Sequence, residues 1–156
     1  MHDIKIDAAN IIIDLEANQS EEALKKLSNL MYNNGDVKSS YTDAVIERER
    51  TFATGLPTAP YAVAIPHTDI QHVNDKSIGI AVLKNTVPFV IMGELEETTD
   101  VKLIFMLAMD KEAAQLSLLQ KLMGIFQNEQ TLTTLVNAKH KQEIVTLIKS
   151  ELNEEA

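Results

Sequence analysis

The hydrophobic period of this chain changes in its last third, and that change constrains the fold more than any other feature. Residues 101–108 form a nearly unbroken apolar run, which predicts a strand at the centre of a sheet. From Glu112 onward apolar side chains recur at helical spacing, which predicts a long helix to Phe126 and further helices around 132–136 and 144–152. A chain that buries both patterns needs helices packed on a sheet.

The rest of the chain interleaves the same two patterns. Short apolar runs rich in β-branched residues predict strands at residues 10–15, 61–65, 77–83 and 87–91. Apolar stripes at helical spacing predict helices over 20–34 and 40–50. With no internal repeat and no linker, we expect one α/β domain over residues 1–156, a mixed β-sheet with helices packed on both faces.

Three segments between these elements are predicted from their polar and turn-forming residues. We expect a hairpin turn at 84–86, with Pro88 at an edge position of the sheet. Residues 55–60 contain one glycine and two prolines, which is typical of a loop. The acidic stretch 94–100 is expected to be a solvated loop as well.

The composition excludes several kinds of function. The 156 residues include no Cys, which rules out disulfides, thiolate zinc sites, iron–sulfur clusters and cysteine nucleophiles. The net charge of −9 and the scattered basic residues argue against nucleic-acid binding. The five glycines form neither of the Gly-rich phosphate loops. With no signal peptide or membrane-spanning run in the sequence, we expect a cytoplasmic protein.

One of the four histidines has a context that suggests chemistry. His2 lies near a terminus and His140 in a polar helix start, so both are expected at the surface. His67 follows a predicted buried strand and Pro66, which presents its imidazole at the carboxyl end of a strand, where α/β sheets commonly place reactive groups. Two interpretations stay open, a reactive histidine and one that caps the strand through a backbone hydrogen bond.

Metal and hydrolase chemistry fit this context poorly. Asp69 and His72 complete an H-x-D-x-x-H pattern with His67, but that is no helical or hairpin metal spacing and offers no fourth ligand. We therefore expect no metal and no cofactor. The sequence has no G-x-S-x-G elbow of a serine hydrolase, and the carboxylates of 94–100 are expected to be hydrated rather than to form an acid–base pair.

Arg48 occupies an unusual place in the predicted second helix. It lies seven residues after Tyr41 and three after Val45, at the end of the apolar stripe. An arginine there either covers the core edge with its stem or binds an anion. Phosphoryl transfer through a histidine needs a neutral imidazole as nucleophile and a guanidinium that neutralises the phosphoryl oxygens. His67 with Arg48 fits that requirement.

The residues around this pair resemble a known family. The family is the IIA component of the fructose–mannitol class of the bacterial phosphoenolpyruvate-dependent sugar phosphotransferase system, and the resemblance rests on Arg48-Glu49, Thr54-Gly55 and the run Ala62-Val63-Ala64-Ile65-Pro66-His67. It extends over nearly the whole chain, including the L-x-x-L-x-x-L pattern that follows the strand ending at Ala108.

The resemblance implies a histidine phosphocarrier. In that case His67 accepts a phosphoryl group on Nε2 from the histidine-containing phosphocarrier protein and passes it to a cysteine of the cognate IIB component, which serves the membrane IIC permease. Arg48 matches the arginine of the family and steadies the phosphoryl oxygens.

One position departs from the mannitol and fructose pattern. Those relatives carry a second histidine where this chain has Gln115, which can donate one hydrogen bond to the phosphoryl group but carries no charge. The patterns Gln-Leu-x-Leu-Leu from Gln115 and R-E-x-x-F-x-T-G from Arg48 are similar to galactitol-type IIA proteins. We therefore expect a system for galactitol or a related polyol.

Two other functions stay open at this point. A nitrogen-related regulatory IIA protein keeps the phosphorylatable histidine and acts through protein–protein binding, so His67 alone does not separate it from a transport component. A small hydrolase with His67 as base is the third interpretation. For docking of the phosphocarrier we expect an apolar patch around His67 that is formed by Leu56, Ile70 and Phe89.

Overall fold

One mixed sheet of five strands forms the middle layer of the protein in a computed structural model that describes residues 4–155, the last two without their side chains. Its strands are β1 (Ile11–Leu15), β2 (Gly55–Leu56), β3 (Ala62–Ala64), β4 (Ser77–Val90) and β5 (Thr98–Ala108). Their order across the sheet is β1-β4-β5-β3-β2. β1 pairs with β4 and β3 with β5 in parallel, whereas the other two pairs are antiparallel. The predicted central position of β5 is confirmed.

Helices cover both faces of this sheet. They are α1 (Ser20–Asn33), α2 (Tyr41–Thr51), α3 (Glu112–Ile125), α4 (Glu129–Asn137) and α5 (Lys141–Glu155). Because side chains alternate along a strand, β5 supplies Leu103 and Phe105 to the core under α3, α4 and α5, and Ile104 and Met106 to the core under α1 and α2. The predicted fold class is therefore confirmed. No helix within residues 4–155 is long and apolar enough to cross a membrane.

The predicted hairpin turn at 84–86 is wrong. Residues Ser77–Val90 form one strand, β4. The register between β4 and β5 shifts between Val82 and Val87, so residues 84–86 form an irregular part of the ladder and not a turn. The chain turns later, between β4 and β5, where Gly93 has a φ of +85° that favours glycine. Pro88 lies beyond the part of β4 that pairs with β1, which agrees with an edge position.

Two of the predicted loops contain strand residues. Strand β5 includes the end of the acidic stretch, because residues 98–100 pair with the end of β4. Gly55 and Leu56 form β2, and a Cβ on Gly55 would lie 2.6 Å from the carbonyl oxygen of Val90. A glycine is therefore required for the close approach of these backbones, a contact that a side-chain pattern does not reveal.

A buried tyrosine joins α2 to the centre of the sheet. The Tyr41 hydroxyl, at the first residue of α2, donates a hydrogen bond to the carbonyl oxygen of Leu107 at 2.7 Å. The N–H of Leu107 in turn donates to the carbonyl oxygen of Pro66 at 3.0 Å. One residue of β5 thus holds both the helix that carries Arg48 and the segment that carries His67.

Replacement of Tyr41 by Phe tests this anchor. The Tyr41→Phe variant keeps the buried ring but removes the donor to Leu107, and loss of a buried hydrogen bond of this kind costs about 1–3 kcal/mol. Urea unfolding measures the change in the free energy of unfolding. The exposed Tyr32→Phe variant is the control and should differ from wild type by less than about 0.5 kcal/mol. Equal stability of both variants would contradict the anchoring role of the hydroxyl.

Candidate functional site

His67 is held rigidly at the carboxyl end of β3. The preceding residue is tied to β5 by the bond between Pro66 and Leu107. The imidazole is half-buried, and its Nδ1 lies 2.9 Å from the carbonyl oxygen of Ile65. Because a carbonyl oxygen only accepts, Nδ1 carries the proton and Nε2 keeps a free lone pair. The backbone hydrogen bond expected of a capping histidine is therefore present, and it leaves the other ring nitrogen available.

Charge and burial keep this imidazole neutral. Burial lowers the pKa of His67 below its ordinary value of 6.5, and the positive charge of Arg48 lowers it further. The hydrogen bond to Ile65 and the carboxylate of Asp69 act in the opposite direction without cancelling the decrease. At neutral pH the ring is therefore unprotonated at Nε2, the state that a nucleophile needs.

Arg48 stands at the mouth of the same cleft with unused hydrogen-bonding capacity. Its Nη1 lies 3.7 Å from Oδ1 of Asp69, and its guanidinium carbon lies 4.7 Å from the ring centroid of Phe52. Its Nε is buried without a hydrogen-bond partner among the described residues. The Asp69 side chain is 68% exposed, so their long ion pair contributes little and can give way to another anion. The guanidinium is thus available to an incoming anion.

The cleft at His67 is open and walled from three sides. Its volume is about 380 Å³. One wall is the end of α2 and the turn after it, another is the turn between β4 and β5, and α3 supplies the third. The side chains that line the cleft include Arg48, Phe52, Thr54, His67, Leu95 and Leu119. An anionic group carried by another molecule can therefore reach the imidazole.

Gln115 lies close to this cleft but points its amide at the backbone. Its Nε2 donates a hydrogen bond to the carbonyl oxygen of Thr68 at 3.3 Å, one residue after His67. Its Oε1 is buried and has no partner among residues 4–155. The lining of the cleft includes Leu119, one turn later on α3, rather than Gln115.

His72 and His140 do not line the cleft, whereas Glu94 of the acidic stretch does. His72 has its Nδ1 2.8 Å from the Ser40 hydroxyl, while Asp69 contacts Arg48, so the H-x-D-x-x-H residues have separate partners. His140 is exposed, as predicted. His2 lies outside the described residues.

The predicted docking patch needs correction. Phe89 is 1% exposed and belongs to the core beneath α1 and α2, because its position in β4 points it inward. Leu56 and Ile70 are half-buried. The exposed large apolar side chains at the cleft are Phe52, Met92 and Leu95, which are 60%, 38% and 94% exposed.

The contacts that support Arg48 and the turn after α2 were not predicted from the sequence. Glu49 accepts two hydrogen bonds from Thr54, and Phe52 lies against Arg48. The pattern R-E-x-x-F-x-T-G contained all of these residues, but their contacts arise only when the chain turns back after α2. The assembled site offers a neutral nitrogen nucleophile beside a cation in an open cleft, an arrangement suited to attack on an anionic phosphorus centre.

Comparison with known proteins agrees with this chemistry. The family described as "Phosphoenolpyruvate-dependent sugar phosphotransferase system, EIIA 2" matches residues 5–151. The galactitol-specific EIIA component of the phosphotransferase system of Escherichia coli K12 is 30% identical over 121 residues, 78% of this chain and 80% of that component.

Solved structures of low sequence identity share the fold. A complex of enzyme IIAMTL and phosphorylated enzyme IIBMTL from Escherichia coli matches with a TM-score of 0.76 and 20% identity, over 94% of this chain and 99% of the other. Nitrogen regulatory protein IIA-Ntr from Neisseria meningitidis matches with a TM-score of 0.73 and 20% identity, over 91% and 94%. The chain belongs to the EIIA 2 family of the phosphoenolpyruvate-dependent sugar phosphotransferase system, whose members are phosphotransferases.

Proposed function

We propose that this protein is a sugar-system phosphocarrier in which His67 carries the phosphoryl group. The observation that carries the proposal is the hydrogen bond between Nδ1 of His67 and the Ile65 carbonyl oxygen, at an open cleft that Arg48 also lines. The phosphoryl donor is the phosphorylated histidine-containing phosphocarrier protein, and the acceptor is a cysteine of a IIB component that serves a membrane IIC permease. The proposal treats residues 1–156 as one IIA domain that acts in the cytoplasm.

The transfer step follows from the tautomer of His67. The Nε2 lone pair forms a bond to phosphorus in line as the N–P bond of the donor breaks, and the proton on Nδ1 stays in place. The positive charge that develops on the ring is stabilised by the Ile65 carbonyl oxygen, while Arg48 neutralises the phosphoryl oxygens. In the second step the thiolate of the IIB cysteine forms a bond to phosphorus as the Nε2–P bond breaks, and Nε2 regains its lone pair while the proton stays on Nδ1.

Gln115 has a smaller part in this proposal. One N–H of its amide is directed to Thr68, and the second is left to donate to a phosphoryl oxygen on His67. Because the amide is neutral, its hydrogen bond stabilises that oxygen less than Arg48 does.

Galactitol or a related polyol is the sugar class that we propose for the system. The 30% identity to the galactitol-specific component of Escherichia coli and the pattern Gln-Leu-x-Leu-Leu from Gln115 support this assignment. The similarity to IIA-Ntr, at 20% identity, concerns the fold alone. A regulatory role is therefore treated as an outcome of the experiment below.

Phosphorylation followed by transfer tests the function. With phosphoenolpyruvate, enzyme I and the histidine carrier, wild type should acquire acid-labile phosphate and pass it to a galactitol-type IIB domain faster than to a mannitol-type one. The His67→Ala variant should acquire none, whereas the control His140→Ala, at an exposed site, should behave as wild type.

Two results would count against the proposal. Phosphate that persists in His67→Ala would exclude His67 as the acceptor. Phosphorylation of His67 without transfer to any IIB domain would favour the regulatory function instead.

Arg48→Ala tests the charge in the cleft. We expect phosphoryl transfer to slow by roughly a hundredfold, the usual effect of removing one donor that stabilises transition-state charge. Stability should change by less than about 1 kcal/mol, because the side chain is 36% exposed and its ion pair is long. Stopped-flow transfer kinetics and urea unfolding measure the two quantities. A variant that transfers at the wild-type rate but has lost much more than about 1 kcal/mol of stability would assign Arg48 to the core edge instead.

A further inference from the structure

Glu49 closes the turn that forms one wall of the cleft. Its Oε2 accepts a hydrogen bond from the N–H of Thr54 at 2.8 Å, and its Oε1 accepts one from the Thr54 hydroxyl at 2.8 Å. Thr54 is buried and lies beyond the end of α2. Two bonds from one carboxyl group to one residue fix the path of the chain from 49 to 54.

This turn touches both members of the reactive pair. The ring of Phe52, inside the turn, lies 4.7 Å from the guanidinium carbon of Arg48. The carbonyl oxygen of Thr54 accepts a hydrogen bond from the N–H of Ile65 at 3.4 Å, and the carbonyl oxygen of Ile65 accepts from the His67 ring. A continuous series of contacts therefore leads from Glu49 to the guanidinium on one side and to the imidazole on the other.

Glu49 itself lies behind the cleft wall. It borders a separate cavity of about 150 Å³ together with Ser20, Glu21 and Arg50, and the lining of the His67 cleft does not include it. Its carboxyl group therefore acts on the cleft through Thr54 rather than by contact with a phosphoryl group.

The bonds to Thr54 can form in either protonation state of Glu49. Burial raises its pKa to about 7, although both bonds from Thr54 favour the ionised form. In the neutral acid the carbonyl oxygen accepts from the N–H of Thr54, and the protonated oxygen donates to the threonine hydroxyl. A glutamine reproduces that pattern, whereas an alanine loses both bonds.

We propose that Glu49 is a positioning residue of the site, which fixes the distance between the Arg48 guanidinium and the His67 imidazole by clamping Thr54. Its effect on the transfer rate rests on the proposed function of His67. The distance itself can be tested in the unphosphorylated protein. The positioning role of Glu49 can therefore fail while the proposed function of His67 stands, and the reverse.

The influence of Arg48 on His67 reports this distance. The positive charge of Arg48 lowers the pKa of His67, and such an effect weakens as the charges move apart. Asp69 is the other charged group that acts on the ring, and it raises the pKa. NMR titration measures the His67 pKa in a protein that keeps Arg48 and in its Arg48→Ala variant. The difference between the two pKa values reports the distance and does not depend on the overall stability of the protein.

A double-mutant cycle applies this readout. The Arg48→Ala change is made in wild type, Glu49→Ala and Glu49→Gln, with Glu47→Gln as the control because this exposed carboxylate is on the same helix and pairs with Arg50. We expect Arg48→Ala to raise the His67 pKa in wild type, Glu49→Gln and Glu47→Gln. In Glu49→Ala the effect should be much smaller, because the guanidinium is no longer held near the ring.

The rate of phosphoryl transfer to the variants is the second measurement. Glu49→Ala should accept phosphate roughly tenfold to a hundredfold more slowly, as expected for a misplaced group near a reacting centre, and Glu49→Gln should restore the rate. If Glu49→Ala does not fold, Thr54→Val replaces it, since this variant loses the hydroxyl bond but keeps a buried side chain of similar size. An undiminished effect of Arg48 on the His67 pKa in folded Glu49→Ala or Thr54→Val would overturn the inference, whether or not phosphoryl transfer occurs.

Discussion

One hydrogen bond, from Nδ1–H of His67 to the carbonyl oxygen of Ile65, sets the chemistry of the site. It assigns the proton to one ring nitrogen and thereby leaves the other free to act as a nucleophile. The bond has this effect only if the backbone from Ile65 to His67 keeps its shape. The contacts of this segment with Leu107 and Thr54 provide that rigidity.

The layered fold explains how side chains from the two faces of the sheet meet at one cleft. Arg48 comes from α2, which packs on one face of the sheet, and Leu119 comes from α3, which packs on the other. Both helices reach the cleft at the carboxyl end of β3, where side chains from the two faces converge. The ion pair of Arg48 with the exposed Asp69 is long, so the guanidinium can exchange this carboxylate for another anion.

The parts of the fold that depend on side-chain period were predictable from the sequence. β5, α1 and α2 follow from apolar runs and stripes, and His67 was found because a proline and a histidine end a buried strand. Backbone contacts between distant segments were not predictable in this way. β2 pairs with β3 while Gly55 fits closely against the backbone of Val90, and β4 continues through 84–86 with a register shift in its ladder to β5. The contacts of Glu49 were not predictable for the same reason, since its partner Thr54 faces it only after the chain has turned.

Identifying the atom that binds phosphorus tests the proposed chemistry of His67 most directly. Nitrogen-15 and phosphorus-31 NMR of the phosphorylated protein, labelled at histidine, identifies the nitrogen coupled to phosphorus and the one that keeps its proton. We expect a coupling to Nε2 of His67, with the proton retained on Nδ1 in its bond to Ile65. A phosphoryl group on Nδ1, or on any residue other than His67, would contradict this expectation.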